Sequence, residues 1–480
     1  MKFILVLAMI FLCGLSPVQA HAADFLGDLY VTDPWGARVE TGAQAIVGAG
    51  EILVPPETIR WYTNEELRID VPNRQAVVTV RSPRFRMETG QLDNMLAQGF
   101  TITLPLRVID GKPYINMHRV DTVLGMSLIP RPSSRTVELI TEIGDAQTRP
   151  QLNVPRTRQQ IKGKINLVWD HVMGEARNLA AEKTIAGLDV ISPTWFAVVN
   201  EEGLIRNTAD MRYITAAHDK KLKVWALLSN SFDRELTRKI LASDKAQDNI
   251  IRQMAVHAAL YNLDGINVDF ENIYDDDRDR LTAFIKKLGK VMKEQNIVLS
   301  VDVTVPSKAS FWSLCYDRRA LGEIADYMMV MTYDEHWRLS PVSGSVASIG
   351  WVEKGVRAVL AEVPKEKLLL GVPFYTREWE EATDGNGKVT VTSRALSMTQ
   401  ATRRIADNQA DVVWLKDKGQ YYTEYAKNGN RYRIWLEDSR SMQLKADLVH
   451  KYGLAGTAAW RKDFETEDIW TVLKDSLKKE

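Results

Sequence analysis

The most strongly patterned segment of the chain is Asp264-Gly-Ile-Asn-Val-Asp-Phe-Glu-Asn272. Side chains of a strand alternate between its two faces, so Asn267, Asp269 and Glu271 share one face and the apolar residues between them share the other. Burying three polar groups with no cation in the motif would be costly for a purely structural strand. The pattern therefore predicts a functional strand with Glu271 at its carboxyl end.

This segment is one of eight strand candidates that alternate with helical stretches after residue 163. The candidates are 165–169, 188–191, 223–228, 265–270, 298–304, 327–332, 368–374 and 456–460. Parallel strands joined by crossover helices give this alternation, and eight such units favour an α/β fold of the (β/α)8 or TIM barrel type over an open doubly wound sheet. Active sites of such barrels lie at the carboxyl ends of the strands, where Glu271 is expected.

Two further regions flank or interrupt the predicted barrel of residues 163–480. Residues 376–436 are too long for a plain loop and predict a small inserted α+β element that deepens a cleft. Residues 23–147 alternate short β-rich runs with turns, which predicts a small strand-rich α+β module with a weak internal repeat. Residues 148–162 are polar and contain two prolines, as is typical of a linker.

The N-terminus predicts export. A lysine at position 2 precedes an apolar run that ends in small residues, so residues 1–22 are interpreted as a cleaved signal peptide and the mature protein as secreted or envelope-associated. Cleavage would leave Cys315 as the single cysteine, so no intrachain disulfide is expected. Lys plus Arg and Asp plus Glu each number 62, and the formal net charge of +0 argues against nucleic acid as a partner.

The segment 264–271 resembles the Asp-x-x-Asp-x-Asp-x-Glu signature of glycoside hydrolase family 18, the chitinase-like barrels, and the resemblance extends over about residues 163–480. Met331-Thr-Tyr-Asp334 and Gly456-Thr-Ala-Ala-Trp460 stand where that family keeps substrate-binding residues. The first of these continues into Tyr333-Asp-Glu-His-Trp337, which looks closest to the bacterial branch of spore-cortex and peptidoglycan N-acetylglucosaminidases.

The resemblance implies a retaining glycosidase in which the 2-acetamido oxygen of the substrate is the nucleophile, so that one carboxylic acid suffices. Glu271 would be the general acid and base. Asp269 would accept a hydrogen bond from the acetamido N–H and raise the pKa of Glu271. Tyr333 would donate its hydroxyl to the acetamido carbonyl oxygen. The expected substrate is a polymer of β-linked N-acetylglucosamine, such as peptidoglycan or spore cortex.

Six further residues are expected to contact the substrate or line its cleft. Trp460 would form an apolar floor beneath the sugar ring. Asp334 would hydrogen-bond near the scissile sugar, and Met331 shares the inward face of its strand with Tyr333. Trp195 and Tyr375 follow predicted strands and would stack on sugar rings, and Asn267 is the sixth residue of the set. Position 267 departs from the family signature, which has Asp there, and an amide cannot raise the pKa of Asp269 by like-charge repulsion.

Other readings stay open. The polymer could be chitin or another glycan cut by an endo-N-acetylglucosaminidase, or the barrel could bind sugar without turnover. Silent relatives usually lose the acid, whereas Glu271 is present here. No His-x-x-x-His pair or cysteine cluster accompanies the carboxyls, so neither a metal nor another cofactor is expected.

The N-terminal module carries a second, looser resemblance. Leu104-Pro-Leu-Arg-Val-Ile, followed by Tyr114-Ile-Asn-Met and Val123-Leu-Gly, resembles the small repeat domain named after the copper amine oxidase N-terminus. That resemblance implies an accessory stalk that keeps the protein at the cell envelope, without copper chemistry. A monomer is expected.

Overall fold

The computed structural model describes residues 25–33, 35–48, 51–63, 65–87, 90–141, 150–153, 161–172 and 177–478. The predicted signal peptide, and the predicted linker apart from residues 150–153 and 161–162, lie outside the described residues. Within the described ranges, no helix is long and apolar enough to cross a membrane.

The N-terminal part forms one nine-stranded sheet with three short helices. Its strands are β1 (Phe25–Thr32), β2 (Arg38–Gly48), β3 (Glu51–Val54), β4 (Glu66–Asp70), β5 (Gln75–Val80), β6 (Phe100–Ile109), β7 (Lys112–Asn116), β8 (Met126–Arg131) and β9 (Thr136–Thr141). Its helices are α1 (Pro56–Arg60), α2 (Gly90–Leu96) and α3 (Val120–Val123). The order β3–α1–β4 recurs as β7–α3–β8, and β3 pairs with β7, in agreement with the predicted repeat.

The C-terminal part contains the barrel. Its first strands are β10 (Ile165–Asp170), β11 (Val190–Pro193), β12 (Phe196–Val198), β13 (Ile205–Asn207), β14 (Lys223–Ser229), β15 (Gly265–Asp269), β16 (Val298–Thr304), β17 (Tyr327–Met331) and β18 (Leu368–Pro373). Its helices up to this point are α4 (Met211–Asp219), α5 (Arg234–Leu241), α6 (Asp244–Leu260), α7 (Arg278–Glu294), α8 (Arg318–Ile324) and α9 (Ile349–Val359). The strands pair in parallel, as crossover helices require, except for the antiparallel hairpin of β12 and β13.

The predicted insertion is a five-stranded antiparallel sheet with one helix. It comprises β19 (Tyr375–Thr383), β20 (Val389–Ser397), α10 (Met398–Asp407), β21 (Val412–Leu415), β22 (Gln420–Lys427) and β23 (Asn430–Trp435). Because β19 begins directly after β18, its first residues lie at the carboxyl end of the barrel, and the element stands as a wall beside that end.

After the insertion, α11 (Ser439–Tyr452), β24 (Gly456–Trp460) and α12 (Glu467–Leu477) complete the chain. The last strand pairs with both β10 and β18, and β11 pairs with β14, so β10, β11, β14–β18 and β24 form a closed barrel of eight parallel strands. A Cβ on Gly456 would lie 1.9 Å from the carbonyl oxygen of Ile165, so only glycine fits this closure. All eight predicted strands are present, within two residues of their predicted bounds.

The interior of the barrel is apolar at its amino end and polar toward its carboxyl end. Trp225, Leu227, Met329 and Leu369 belong to the cluster that fills the interior, as TIM barrels fill theirs with layers of inward side chains. Asn267 is fully buried at the level of Leu227, its register partner on β14. The barrel therefore has a solid base and presents its polar side chains at the end where β15 terminates.

The N-terminal sheet packs against the barrel instead of standing apart from it. The Thr103 hydroxyl on β6 donates to the carbonyl of Ile205 on β13, and the Asn207 Nδ2 group donates back to the Thr103 carbonyl at 2.9 Å. Arg212 at the start of α4 lies 3.4 Å from a carboxylate oxygen of Glu51. Both Thr103 and Asn207 are fully buried, so water is excluded from this contact.

Candidate active site

Two carboxyl groups meet at the carboxyl end of β15. Asp269 is the last residue of the strand and is 7% exposed. Glu271 follows two residues later, on the same face, and its carboxyl donates a hydrogen bond to Asp269. The side chain of Asn230 holds the backbone of Glu271, because its Oδ1 accepts from the Glu271 N–H at 3.1 Å and its Nδ2 donates to the Glu271 carbonyl at 2.7 Å.

Burial and mutual repulsion set the protonation of this pair. Burial raises the pKa of Asp269 to about 7, and it raises the pKa of Glu271 well above its usual value, with further increases from the charges of Asp269 and Asp334. The raised pKa favours the protonated form of Glu271, which is the form that a general acid requires. The Oδ1 atom of Asp269 is buried without a hydrogen-bond partner among the described residues, which leaves it free to accept a donor from a ligand.

A third carboxyl lies on the neighbouring strand. Asp302 on β16 is 2% exposed and accepts a hydrogen bond from the Nδ2 group of Asn267 at 2.8 Å. Burial, Asp269 and Glu271 together raise its pKa well above the usual value. Asp302 is not among the residues that the sequence pattern predicted. The available signal was the polar alternation Ser300, Asp302 and Thr304, which is the pattern that drew attention to β15.

Asn267 was expected to contact the substrate, and the structure corrects this. Its Oδ1 accepts from the indole Nε1 of Trp169 at 2.8 Å, and its Nδ2 donates to Ser300 at 3.1 Å as well as to Asp302. The amide is fully buried, and both of its ends are occupied by protein groups. Asn267 therefore connects neighbouring strands below the carboxyl groups instead of facing a ligand.

Residues after β17 and β18 complete the acidic centre. Tyr333 lies close enough to Asp302, Glu271 and Asp269 for all three to raise its pKa, although burial is the largest cause, so its hydroxyl stays protonated and able to donate. Tyr375 packs edge-on against Tyr333 with ring centroids 6.2 Å apart.

Asp334 is held from the wall of the insertion. The Tyr375 hydroxyl donates to its carboxylate at 2.7 Å, and the Arg377 guanidinium lies 3.3 Å from it. Its charge also raises the pKa of Glu271. Tyr375, expected as a ring that stacks on sugar, is 5% exposed, and in the structure it positions Asp334 through its hydroxyl.

An aromatic surface closes the base of this region. Trp460 ends β24, is partly exposed, and lies against Trp169 with ring centroids 6.1 Å apart and against His171 at 5.9 Å. Because the nitrogen of Trp169 donates to Asn267, the aromatic surface and the carboxyl cluster belong to one hydrogen-bonded network.

A sequence model of glycosyl hydrolases family 18 matches residues 178–465, which include every residue of the acidic centre. The chain belongs to glycosyl hydrolase family 18. It is therefore a glycosidase, and Glu271, the partly exposed acid just after β15, is its candidate catalytic group.

Named relatives agree with this family. The chain is 28% identical over 301 residues to YvbX, described as an uncharacterized glycosylase of Bacillus subtilis (strain 168), and the alignment covers 61% of this chain and 85% of the relative. It is 25% identical to the cortical fragment-lytic enzyme of the same organism over 56% of this chain and 63% of that enzyme. The solved chitinase of Chromobacterium violaceum ATCC 12472 superposes with a TM-score of 0.59 at 26% identity, covering 66% of this chain and all of the chitinase.

Two residues of this family 18 glycosidase that were expected to contact substrate are buried. Trp195 is 2% exposed and packs edge-on against Tyr213 at 5.1 Å, so it is a core residue and the expectation of a sugar contact was wrong. Met331 is 8% exposed and ends β17 below Tyr333, where little of its surface is open to a ligand.

The end of β10 supplies a polar group that sequence reasoning missed. Asp170 is fully buried, accepts from the Tyr213 hydroxyl at 2.7 Å and pairs with the Arg177 guanidinium at 2.6 Å. Its partners come from α4 and from a separate loop, so no local pattern indicated the cluster. The cluster fixes the rim of the glycosidase barrel next to the strand pair β10 and β11.

Proposed function

We propose that this chain is an exported glycosidase that hydrolyses β-linked N-acetylglucosamine polymers of the cell wall, peptidoglycan or spore cortex, with retention of anomeric configuration. The observation that carries this proposal is the pair of Glu271, an acid whose pKa is raised by desolvation and by the nearby carboxyls, and Asp269, whose Oδ1 atom has no hydrogen-bond partner among the described residues. One acid and one acceptor are what a substrate-assisted mechanism requires.

Glu271 protonates the glycosidic oxygen as the bond to the leaving sugar breaks. The proton is available at neutral pH because burial and the nearby carboxyls raise the pKa of this group. The acetamido oxygen of the substrate attacks the anomeric carbon and forms an oxazolinium-like intermediate. Glu271, now a carboxylate, then accepts a proton from a water molecule whose oxygen attacks the anomeric carbon. This attack opens the intermediate, regenerates the protonated Glu271 and gives a product of the original anomeric configuration.

Asp269 and Tyr333 orient the acetamido group for this attack. The unpartnered Oδ1 atom of Asp269 accepts the acetamido N–H, and the carboxylate charge stabilises the positive intermediate. The Tyr333 hydroxyl donates to the acetamido oxygen and fixes its direction. Trp460 supports the apolar face of the sugar, and Asp334 hydrogen-bonds beside the cleaved bond while Tyr375 holds it in place.

The choice of a cell-wall substrate rests on the relatives and on the N-terminal module. Curated relatives include the cortical fragment-lytic enzyme of Bacillus subtilis (strain 168) and, from the same organism, YdhD, which is described as a putative sporulation-specific glycosylase. YdhD is 29% identical over 49% of this chain and 55% of its own length. The strand-rich module is proposed as an envelope-associated accessory domain that resembles the copper amine oxidase N-terminal repeat. Chitin remains the second candidate, since solved chitinases share the fold.

Parallel digestion tests the proposal. Purified cortex, vegetative peptidoglycan and chitin are incubated with the enzyme and with Glu271→Gln, products are analysed by mass spectrometry, and the anomer first released is identified by proton NMR. We expect N-acetylglucosamine reducing ends of retained configuration from peptidoglycan or cortex. We expect the variant to lose at least about a thousandfold of the activity. Undiminished hydrolysis by the variant, or binding without turnover by the parent enzyme, would reject the mechanism.

A further inference from the structure

The proposed mechanism leaves one buried carboxyl of the barrel interior without a role. Asp302 is 2% exposed, and among the described residues no Lys, Arg or His side chain pairs with it. A lone buried carboxylate is costly, so such a group is protonated, hydrogen-bonded or both. Asp302 has a hydrogen bond from Asn267, yet an amide donor does not neutralise a negative charge.

The groups that face Asp302 come from two elements. From β15 and the residues after it come the Asn267 amide and the carboxyls of Asp269 and Glu271, because Val268 pairs with Val301 and Asp269 therefore follows beside Asp302; from the segment after β17 comes the Tyr333 hydroxyl. These groups are acids or neutral hydrogen-bond partners, and no basic group is among them. Three carboxyls this close together in a buried site cannot all ionise at neutral pH.

The orientation of Asn267 explains why a carboxyl is tolerated at position 302. The indole N–H of Trp169 donates to the Asn267 Oδ1 atom at 2.8 Å, so the NH₂ end of the amide must point toward β16 and donate to Asp302. A carboxylate at 267 would face the carboxylate at 302 with no proton donor between them. Asn at 267 and Asp at 302 therefore form a complementary pair.

We propose that Asp302 supplies from β16 the carboxyl that position 267 lacks, and that, held by the Asn267 amide, it shares the protons of one buried cluster with Asp269 and Glu271. Asp302 is thus a positioning residue, which acts through its neighbours and does not touch the sugar. This inference rests on the proposed function, because it assigns a part in the substrate-assisted reaction.

The rate test exchanges the two side chains. The pH dependence of kcat on purified peptidoglycan is measured for the parent enzyme, Asp302→Asn, Asn267→Asp and the exchanged double variant Asn267→Asp/Asp302→Asn. Removing one carboxyl from a cluster that shares its protons lets the remaining pair ionise at lower pH, so we expect Asp302→Asn to lower the basic limb by about one pH unit and the rate at pH 8 by about tenfold. The exchanged variant returns the third carboxyl to β15 and restores the basic limb.

A matched control separates charge from packing. Ser300→Ala removes a neutral hydrogen bond to the same Asn267 amide, at 3.1 Å, without changing the charge of the cluster. We expect its basic limb to stay in place even if its rate falls. An unchanged limb in Asp302→Asn, or an exchanged variant no better than Asp302→Asn alone, would overturn the proposal.

A second measurement needs no substrate. Because the pKa of Asp302 is raised in the folded state, the folded protein binds that proton more tightly than the unfolded chain, and the carboxyl destabilises the fold increasingly as pH rises above about 4. We expect the melting temperature of Asp302→Asn, relative to the parent enzyme, to increase between pH 4 and pH 8. A melting-temperature difference that does not vary with pH would contradict the raised pKa of Asp302 and with it this proposal. A parent enzyme that is inactive on every polymer would refute the proposed function alone.

Discussion

The raised pKa values of Glu271 and Asp269 suit the proposed reaction but lower the stability of the fold at neutral pH. The raised pKa of Glu271 means that the folded protein holds this proton more tightly than the unfolded chain does, so the contribution of Glu271 to stability falls as pH rises through and above the usual range of a glutamate. We expect Glu271→Gln to abolish hydrolysis. We also expect the variant to have a higher free energy of unfolding in urea than the parent enzyme, and this difference to be larger at pH 8 than at pH 4.5. Equal differences at both pH values would contradict the assigned protonation.

Asn230 offers a test of positioning at the residue scale. Its amide binds both the N–H and the carbonyl of Glu271, which fixes the direction in which the acid emerges from the end of the strand. We expect Asn230→Ala to lower kcat by about 10- to 100-fold with little change in KM, because misplacement of the acid affects the transition state more than binding. Asn249→Ala, which removes one exposed bond to the carbonyl of Glu202, serves as the control and should keep both constants.

At the element scale, a buried ion pair connects α11 to the short segment that links this helix to the insertion. Lys445 lies 2.8 Å from a carboxylate oxygen of Glu437, and both side chains are almost fully buried. Gln420, at the start of β22, donates to the same carboxylate at 2.7 Å. The pair therefore holds the wall element against the helix that precedes β24.

We expect Lys445→Met to destabilise the protein by about 3–5 kcal/mol, because it leaves the Glu437 charge buried without a cation. The measurement is urea unfolding followed by circular dichroism. Lys451 on the same helix pairs with Glu353 at the exposed surface, and Lys451→Met should cost less than about 1 kcal/mol. Similar losses of unfolding free energy in both variants would show that burial of the Lys445–Glu437 pair does not increase its contribution to stability.

At the scale of the whole molecule, the N-terminal sheet and the barrel share a dry contact. The Asn207 amide donates to the carbonyl of Thr103 and also to the Tyr261 hydroxyl at 2.9 Å, within the buried hairpin of β12 and β13. We expect Asn207→Ala to lower stability by about 1–3 kcal/mol, since it leaves a buried carbonyl unpaired. We also expect calorimetry of the parent protein to show one transition for both parts.

The control for this contact is the adjacent residue. Arg206 is exposed on the same strand, so Arg206→Ala should leave the melting temperature within about one degree. Two separate transitions in the parent protein, or equal effects of both substitutions, would contradict a shared folding unit.

Much of the site could be predicted from local pattern alone, because alternation along one strand is a local property. Asp269 and Glu271 share a face for this reason, and the structure brings them into contact. Tyr333 follows β17 by the same argument and lies beside them. The role of each in catalysis stays a prediction until the variants are measured.

The sequence by itself determined the order of strands and helices, because hydrophobic periodicity and the length of each crossover are local properties of the chain. Eight such units in this order then predicted the barrel. Only the tertiary structure decided which polar groups meet across strands. Asp302 reaches Asn267 from 35 positions away through the register of β15 and β16. Trp195 faced the core, against expectation, because depth below the rim depends on how whole elements pack and not on the residue's place after a strand.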